Sequence, residues 1–159
     1  MKKAIYAGTF DPITYGHIDV VSRAIKIFDK IIIGVSSHPK KTLFTQKQRM
    51  KLVEAVFKNE KKVEVAGFST LLVDLARKKG ATTMIRGMRA VSDFDYELQL
   101  TLMNRKLAPK IETIFLMPSE KYIFISSSLA KEIASLNGDV SHLVPPSVAR
   151  ALKRKLKKT

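Results

Sequence analysis

The chain has 159 residues, of which 45% are apolar and none is cysteine. This length is typical of a single domain with enough apolar sequence to bury a core, and the absence of cysteine excludes disulfides, thiolate metal sites and a cysteine nucleophile. The 29 Lys and Arg residues outnumber the 14 Asp and Glu residues. The formal charge of +15 therefore favours an acidic partner, whether nucleic acid, anionic lipid or a phosphorylated small molecule.

Strand and helix patterns alternate along the whole chain, and no linker, repeat or low-complexity stretch divides it, so we predict one domain over residues 1–159. Thr45 with Gln48 forms a capping box, and Gly80 is a helix stop signal. In chain order we predict a strand at 3–7, a helix over 18–28, a strand at 31–35, a helix from Thr45, a strand at 63–66, a helix over 71–79, a strand at 83–85, a helix from Ser92 to about Lys106, a strand at 113–116, a helix after 125 to about Leu136, and a terminal helix from Pro145.

Short apolar strands separated by helices predict a parallel sheet with helices on both faces, that is, a doubly wound, Rossmann-like α/β fold with five strands. Ligands in such folds bind beyond the carboxyl ends of the strands. The segment 150–159 carries six basic residues and no acid, and we expect it to be a partly frayed helix end outside the chemistry. No apolar run is long enough for a membrane span and no signal peptide is visible, so we expect a cytoplasmic protein without membrane contact.

The loops that follow the predicted strands are rich in glycine, hydroxyl and cationic residues, which together suit phosphate binding. Each has an ordinary structural alternative. His17 and the serine run could be helix caps, the lysines could be solvated, and Arg86 could pair with Asp93 or Asp95. Their joint placement at strand ends favours a phosphate site. The residues concerned are Gly8, Thr9, Asp11, Thr14, Tyr15, Gly16 and His17 after the first strand, Lys40 and Lys41 after the second, Arg86, Gly87 and Arg89 after the fourth, and Ser126, Ser127 and Ser128 after the fifth.

Three segments carry motifs in a specific order and spacing: 4–20 (AIYAGTFDPITYGHIDV), 85–103 (IRGMRAVSDFDYELQLTLM) and 115–132 (FLMPSEKYIFISSSLAKE). With these motifs the chain closely resembles, almost end to end, the bacterial phosphopantetheine adenylyltransferases of the HxGH nucleotidylyltransferase superfamily. The pattern TxGH alone is weak, but its combination with IRGxR and ISSS is highly specific. Ala7 and Tyr15 depart from the usual proline and asparagine, and neither change removes a hydrogen-bond donor.

The resemblance implies that ATP and 4'-phosphopantetheine react to give dephospho-coenzyme A and pyrophosphate, with Mg²⁺. The sequence contains no dedicated metal-ligand cluster, so we expect Mg²⁺ to be carried on ATP. It also implies a homohexamer and coenzyme A as a feedback ligand. A phosphate monoester is already a nucleophile at neutral pH, so positioning and charge stabilisation suffice, with no general base or covalent intermediate.

The resemblance assigns roles by position. His17 is implied as the catalytic residue, which binds an ATP phosphate and stabilises the transition state. The substrate lysine is Lys40, or Lys41 under a different alignment, because the loop is one residue shorter than usual. The implied substrate-binding residues are Thr9, Lys40, Leu72 and Arg86. The implied ATP-binding residues are Thr9, Phe10, His17, Gly87, Met88, Arg89, Glu97, Tyr122, Ile123, Phe124, Ile125, Ser126, Ser127 and Ser128.

Two alternative functions remain at this point. The first is a related nucleotidylyltransferase that uses another phosphorylated substrate. The second is a nucleic-acid-binding module, which is favoured by the sequence pI of about 10.1 and by the basic carboxyl-terminal segment. The low aromatic content of 8% and the absence of a stacking or recognition-helix motif speak against specific nucleic-acid binding.

Overall fold

A computed structural model describes residues 1–38, 41–88 and 94–157. Within these residues, five parallel strands form one sheet in the order β3-β2-β1-β4-β5. The predicted fold class is confirmed. The strands are β1 (Lys3–Gly8), β2 (Lys30–Ser36), β3 (Val63–Phe68), β4 (Thr83–Gly87) and β5 (Glu112–Leu116), and the helices are α1 (Tyr15–Ala24), α2 (Gln46–Val56), α3 (Leu72–Lys79), α4 (Phe94–Leu107), a 3₁₀ turn (Glu120–Tyr122), α5 (Ser127–Ser135) and α6 (Pro146–Leu156).

Both faces of the sheet are covered, because alternate strand residues point to opposite sides. Ala4 and Tyr6 of β1 belong to a core cluster built with α1, α2, α5 and α6. Ile5 between them belongs to a second cluster, which includes α3 and the segment after α4. This arrangement explains why the central strands are apolar throughout.

The order of the strands reverses beside β1. The chain runs outward from β1 to β2 and β3, then crosses to β4 on the other side of β1 and continues to β5. A doubly wound sheet opens a crevice at this switch point, beyond the carboxyl ends of its strands. The loops after β1 and β4 are therefore placed to bind a ligand.

The helix predicted over residues 18–28 is shifted. Helix α1 begins at Tyr15 and ends at Ala24. Beyond it the Lys26 and Ile27 amides donate to carbonyls only three residues back, which tightens the chain into a turn. This turn directs Phe28 into the core. Phe28 is therefore apolar because it is buried beyond the helix, not because it continues the apolar face of α1.

The basic end is helical and packed, not frayed, as far as the structure describes it. Val148 and Leu152 of α6 are fully buried, whereas Lys153, Arg154 and Lys155 lie in its last turn. Cations near a helix carboxyl end interact favourably with the helix dipole. No helix among the described residues has both the length and the apolar character needed to cross a membrane.

Gly80 ends α3 in the left-handed conformation, with φ of 65°. A Cβ there would meet only the Lys3 ammonium, at 3.9 Å, so a substitution tests backbone conformation without a steric clash. We expect Gly80→Ala to lower the free energy of unfolding by about 1 kcal/mol, and Gly80→Asn to lower it less, because asparagine tolerates this conformation. Urea unfolding at one fixed protein concentration measures both. The exposed helix variant Lys78→Ala, which should change little, is the control, and equal stability of all three variants would contradict the prediction.

Candidate active site

A cavity of about 260 Å³ lies at the carboxyl ends of β1 and β4, where the strand order reverses. Its walls come from the end of β1, the start of α1, the end of β4 and the start of α5. A larger open cleft of about 750 Å³ between α5 and α6 holds no predicted site residue. The smaller cavity is lined by Tyr6, Ala7, Gly8, Phe10, Thr14, Gly16, His17, Val20, Arg86, Gly87, Pro118, Ile125, Ser126, Ser127 and Ser128.

Phe10 shapes the floor of this cavity. It is buried, its backbone is in the left-handed region with φ of 50°, and its ring packs edge-on against those of Tyr6 and His17. A Cβ added to Gly8 would lie 3.2 Å from the Phe10 ring, a tighter contact than side chains normally make. Glycine at position 8 therefore allows the chain to fold back over its own aromatic side chain.

His17 acts as a cap and also faces the cavity. Its Nδ1 accepts a hydrogen bond from the Thr14 backbone N–H, at 3.0 Å. Because Nδ1 is an acceptor here, the proton of the neutral ring is on Nε2, which makes Nε2 a donor. The helix-cap interpretation of His17 is thus correct for one nitrogen, and the other has the chemistry that a phosphate oxygen requires.

The serine run places the amino end of α5 at the cavity. The Ser126 hydroxyl caps the helix by accepting from the Leu129 N–H at 3.0 Å. The Ser127 hydroxyl donates to the Pro12 carbonyl at 2.7 Å and so ties α5 to the loop after β1. Unpaired N–H groups and the positive end of the helix dipole at such a terminus favour anions.

Arg86 at the end of β4 is paired with Glu97 of α4. Its Nε and Nη2 each donate to a different carboxylate oxygen at 2.6 Å, a bidentate arrangement. Burial by itself would lower the pKa of Arg86, but the hydrogen bonds and charge of Glu97 outweigh burial and raise that pKa. The ion-pair alternative is therefore correct in kind, with Glu97 as the partner in place of Asp95. Asp93 lies outside the described residues.

Other predicted residues lie beside the cavity or in the segment before α5. Thr9 lies beside the cavity in the β1 loop, and Met88 donates its N–H to the Leu116 carbonyl at the end of β5. Tyr122 stacks on Tyr15 with ring centroids 6.1 Å apart, and Phe124 is 84% exposed next to Ile123.

Leu72 is not among the cavity-lining residues and packs against the second core cluster. Lys40 and Arg89 lie outside the described residues, and the alternative Lys41 is exposed.

Two side chains that sequence reasoning gave no role support the cavity from behind. Arg49 of α2 is 1% exposed and donates to main-chain carbonyls in the loop after β1, at the end of β2 and just before α2. The Asp19 carboxylate accepts from both the N–H and the hydroxyl of Ser119, which fixes the segment that carries Pro118. The only sequence signal for Arg49 is that it lies one helical turn before the buried Val53.

Metal-ligating side chains do not gather anywhere in residues 1–38, 41–88 and 94–157: no group of three or more His, Cys, Asp or Glu residues there could hold an ion. Within these ranges the cavity offers N–H, hydroxyl and cationic groups, which bind the oxygens of phosphates directly.

Comparison with known proteins decides the family. Residues 5–133 match the model of the cytidylyltransferase-like family. A phosphopantetheine adenylyltransferase from Alkaliphilus metalliredigens (strain QYMF) is 51% identical over 156 residues, which cover 98% of this chain and 99% of that protein. The chain belongs to the phosphopantetheine adenylyltransferase family. The resemblance of the three motif segments is thereby confirmed.

A solved structure supports the fold independently. A crystal structure from Vibrio parahaemolyticus, described as a nicotinate-nucleotide adenylyltransferase, aligns with a TM-score of 0.73 over 96% of this chain and 99% of that one. At 22% identity this likeness concerns the fold alone. The doubly wound architecture therefore extends beyond the phosphopantetheine adenylyltransferases.

The Arg86–Glu97 pair is expected to be energetically coupled, because both side chains are largely buried. Removing either partner leaves the other charge poorly compensated. The double variant should therefore lose less stability than the sum of the losses in the single variants Arg86→Met and Glu97→Met. We expect a coupling of at least about 1 kcal/mol in a double-mutant cycle followed by urea unfolding. The exposed pair Arg105–Glu112 is the matched control and should couple by less than about 0.5 kcal/mol. Equal coupling energies in the two pairs would show that burial is not the cause of the coupling between Arg86 and Glu97.

Proposed function

We propose that this chain transfers the adenylyl group of ATP to 4'-phosphopantetheine, which gives dephospho-coenzyme A and pyrophosphate. The observation that carries the proposal is the 51% identity, over nearly the full length of both chains, to a phosphopantetheine adenylyltransferase. The cavity supports it, because His17, Arg86 and the amino end of α5 meet there as donors for phosphate oxygens. These groups suit a reaction between two anions.

The reaction is a direct displacement at phosphorus. An oxygen of the substrate phosphate forms a bond to the α-phosphorus of ATP while the bond from that phosphorus to the oxygen bridging toward the β-phosphorus breaks. The electron pair of the broken bond leaves with pyrophosphate. The nucleophile is already ionised at neutral pH, so the protein contributes alignment and stabilisation of the negative charge.

His17 and Arg86 have different tasks in this scheme. The Nε2–H group of His17 donates a hydrogen bond to an ATP phosphate and stabilises the negative charge that develops there. This role makes His17 the catalytic residue. Arg86 holds the phosphate of 4'-phosphopantetheine with the guanidinium hydrogens that remain: Glu97 takes Nε and one hydrogen of Nη2, and the Ala7 carbonyl accepts a long hydrogen bond, at 3.5 Å, from Nη1. Glu97 then orients Arg86 in addition to the adenosine contact that the family resemblance implies.

The other site residues follow the resemblance. Thr9 contacts both substrates, Lys40 binds the substrate phosphate, and Leu72 lines the path of the pantetheine arm. Arg89 binds ATP. The remaining ATP-binding residues are Phe10, Gly87, Met88, Tyr122, Ile123, Phe124, Ile125, Ser126, Ser127 and Ser128.

Magnesium enters as part of the nucleotide substrate. Mg²⁺ keeps several of its waters and is commonly bound through substrate phosphates together with few protein ligands. The donor groups described at the cavity fit phosphate oxygens better than a metal ion, which is consistent with an ion that arrives on ATP. Chelation of Mg²⁺ should therefore stop turnover without unfolding the protein.

We further propose a cytoplasmic homohexamer that binds coenzyme A at the same cavity, because coenzyme A combines parts of both substrates. Helix α4 supports assembly: its apolar residues Phe94, Tyr96, Leu102, Met103 and Leu107 are exposed on the single chain. Exposed apolar side chains in this number favour an interaction site, and a second copy of the chain is the simplest partner. Sedimentation at micromolar concentration tests the assembly, and a monomer there would contradict it.

The function itself is tested by a substrate panel. Pyrophosphate release is followed with 4'-phosphopantetheine, nicotinate mononucleotide and glycerol 3-phosphate, each paired with ATP and with CTP. We expect turnover only with ATP and 4'-phosphopantetheine. Preference for another phosphorylated acceptor or for CTP would make the chain a different member of the cytidylyltransferase-like family.

His17→Ala should keep the fold and bind ATP nearly as well as the parent enzyme while kcat falls roughly 10²–10³-fold, the usual cost of removing one donor aimed at developing charge. Steady-state kinetics and calorimetry with ATP alone separate the two effects. His142→Ala, an exposed histidine, is the matched control. A folded His17→Ala variant with unchanged kcat would exclude His17 from the chemistry.

A further inference from the structure

Arg49 is a fully buried cation that the proposed chemistry does not use. Its Nε donates to the Phe44 carbonyl at 3.1 Å, and its Nη1 donates to the carbonyls of Ser36, at 2.8 Å, and Thr9. Burial lowers the pKa of Arg49, while the nearby charge of Asp11 opposes that shift. A buried guanidinium of this kind needs its hydrogen bonds satisfied, so these contacts fix the direction of the side chain.

These three carbonyls lie in the loop after β1 and at the two ends of the segment that joins β2 to α2. Thr9 lies in the loop after β1, which forms part of the ATP site. Ser36 and Phe44 flank residues 37–43, the segment that contains the substrate lysine Lys40. One guanidinium therefore holds both ends of the lysine loop and connects them to the nucleotide loop.

Asp11 ties the same two loops together from another point. It is 3% exposed, and its two carboxylate oxygens accept from the backbone N–H groups of Leu43 and Phe44, at 2.8 and 2.9 Å. Lys131 of α5 also donates to it, at 3.0 Å. Phe44 is thus held by Asp11 through its N–H and by Arg49 through its carbonyl, which leaves this end of the lysine loop little freedom.

Arg49 also sets the orientation of one peptide group at the cavity. The Thr9–Phe10 peptide is trans, so its carbonyl and its N–H point in opposite directions. Because Arg49 binds the Thr9 carbonyl, the Phe10 N–H is directed away from Arg49. The left-handed backbone of Phe10 is a conformation that persists only when its surroundings hold it.

We propose that Arg49 is a positioning residue, which sets the distance and angle between the nucleotide loop and the lysine loop so that the two bound phosphates meet in line. This inference rests on the proposed function. Both substrates still bind without Arg49, but the reacting atoms lose their alignment. Misplacement of about 1 Å is enough to lower the rate by about 10²-fold.

The test compares Arg49→Met, which keeps bulk without charge, with Arg49→Lys, which keeps the charge beside Asp11 but cannot reach the three carbonyls as a planar fork. We expect kcat to fall about 10²-fold in both variants. The Kd of ATP alone and of 4'-phosphopantetheine alone, measured by calorimetry, should change less than about 5-fold. Assays are run at a temperature where circular dichroism shows each variant folded.

Arg77→Met is the matched control, because Arg77 also donates to a main-chain carbonyl, that of Leu107, but its side chain is exposed and it does not line the cavity. It should retain the parent kcat. Three results would overturn the proposal: full kcat in either folded Arg49 variant, a loss confined to the Kd of one substrate, or failure of both Arg49 variants to fold, which would assign Arg49 to stability alone. An inactive parent enzyme with 4'-phosphopantetheine would instead refute the proposed function.

Discussion

The parallel alignment of β1 with both β2 and β4 is the constraint on which the rest of the molecule depends. Parallel strands end at one edge of the sheet, so the loops that leave β1, β2 and β4 all start within a few strand spacings of each other. Residues that are about 80 positions apart in the sequence, such as Phe10 and Arg86, therefore line one cavity. The parallel sheet brings the donor groups of the site together, and the donors themselves lie at the strand ends and in the segments that follow.

The described cations near the cavity are already engaged before any substrate arrives. Arg86 is paired with Glu97, Lys131 with Asp11, and Arg49 with main-chain carbonyls. Paired cations keep a defined direction: Arg86 presents a fixed donor to an incoming phosphate, and Arg49 and Lys131 hold the loops around it in place, so little rearrangement is needed during the reaction. Part of the positive charge of the chain is thus held as oriented groups near the cavity, and part of it is exposed, as at Lys153 and Arg154 of α6.

Much of the fold follows from the sequence because its signals are local. Apolar runs mark the strands, and the capping box at Thr45 and Gln48 has both hydrogen bonds that its pattern predicts. Strand order is different, since it depends on which strands pair across the sheet, and no local pattern reports it. The end of α1 was wrongly predicted because Phe28 was assigned to the apolar face of the helix, whereas it packs into the core from the turn after the helix.

The cavity residues were found in the sequence where they stand in a recognisable motif, as His17 and the serine run do. Their pairings were not predicted, even for Glu97, which the resemblance names as a site residue, because a pairing is defined by folding. Glu97 of α4 reaches Arg86 of β4, and Arg49 is a charged residue on the buried side of α2. Burial of a charge is a property of the whole fold, and only three-dimensional packing reveals it.

Helix α6 has a consequence for anyone who shortens or extends this chain. By composition residues 150–157 are a cationic helix end, yet Leu152 is as deeply buried as the central strands and belongs to the main core cluster. The domain boundary therefore lies beyond Leu152, and a cut placed at the change in composition would open the interior to water. Lys153 and Arg154 of the same helix are exposed, so solubility can be tuned at these two positions without opening the core.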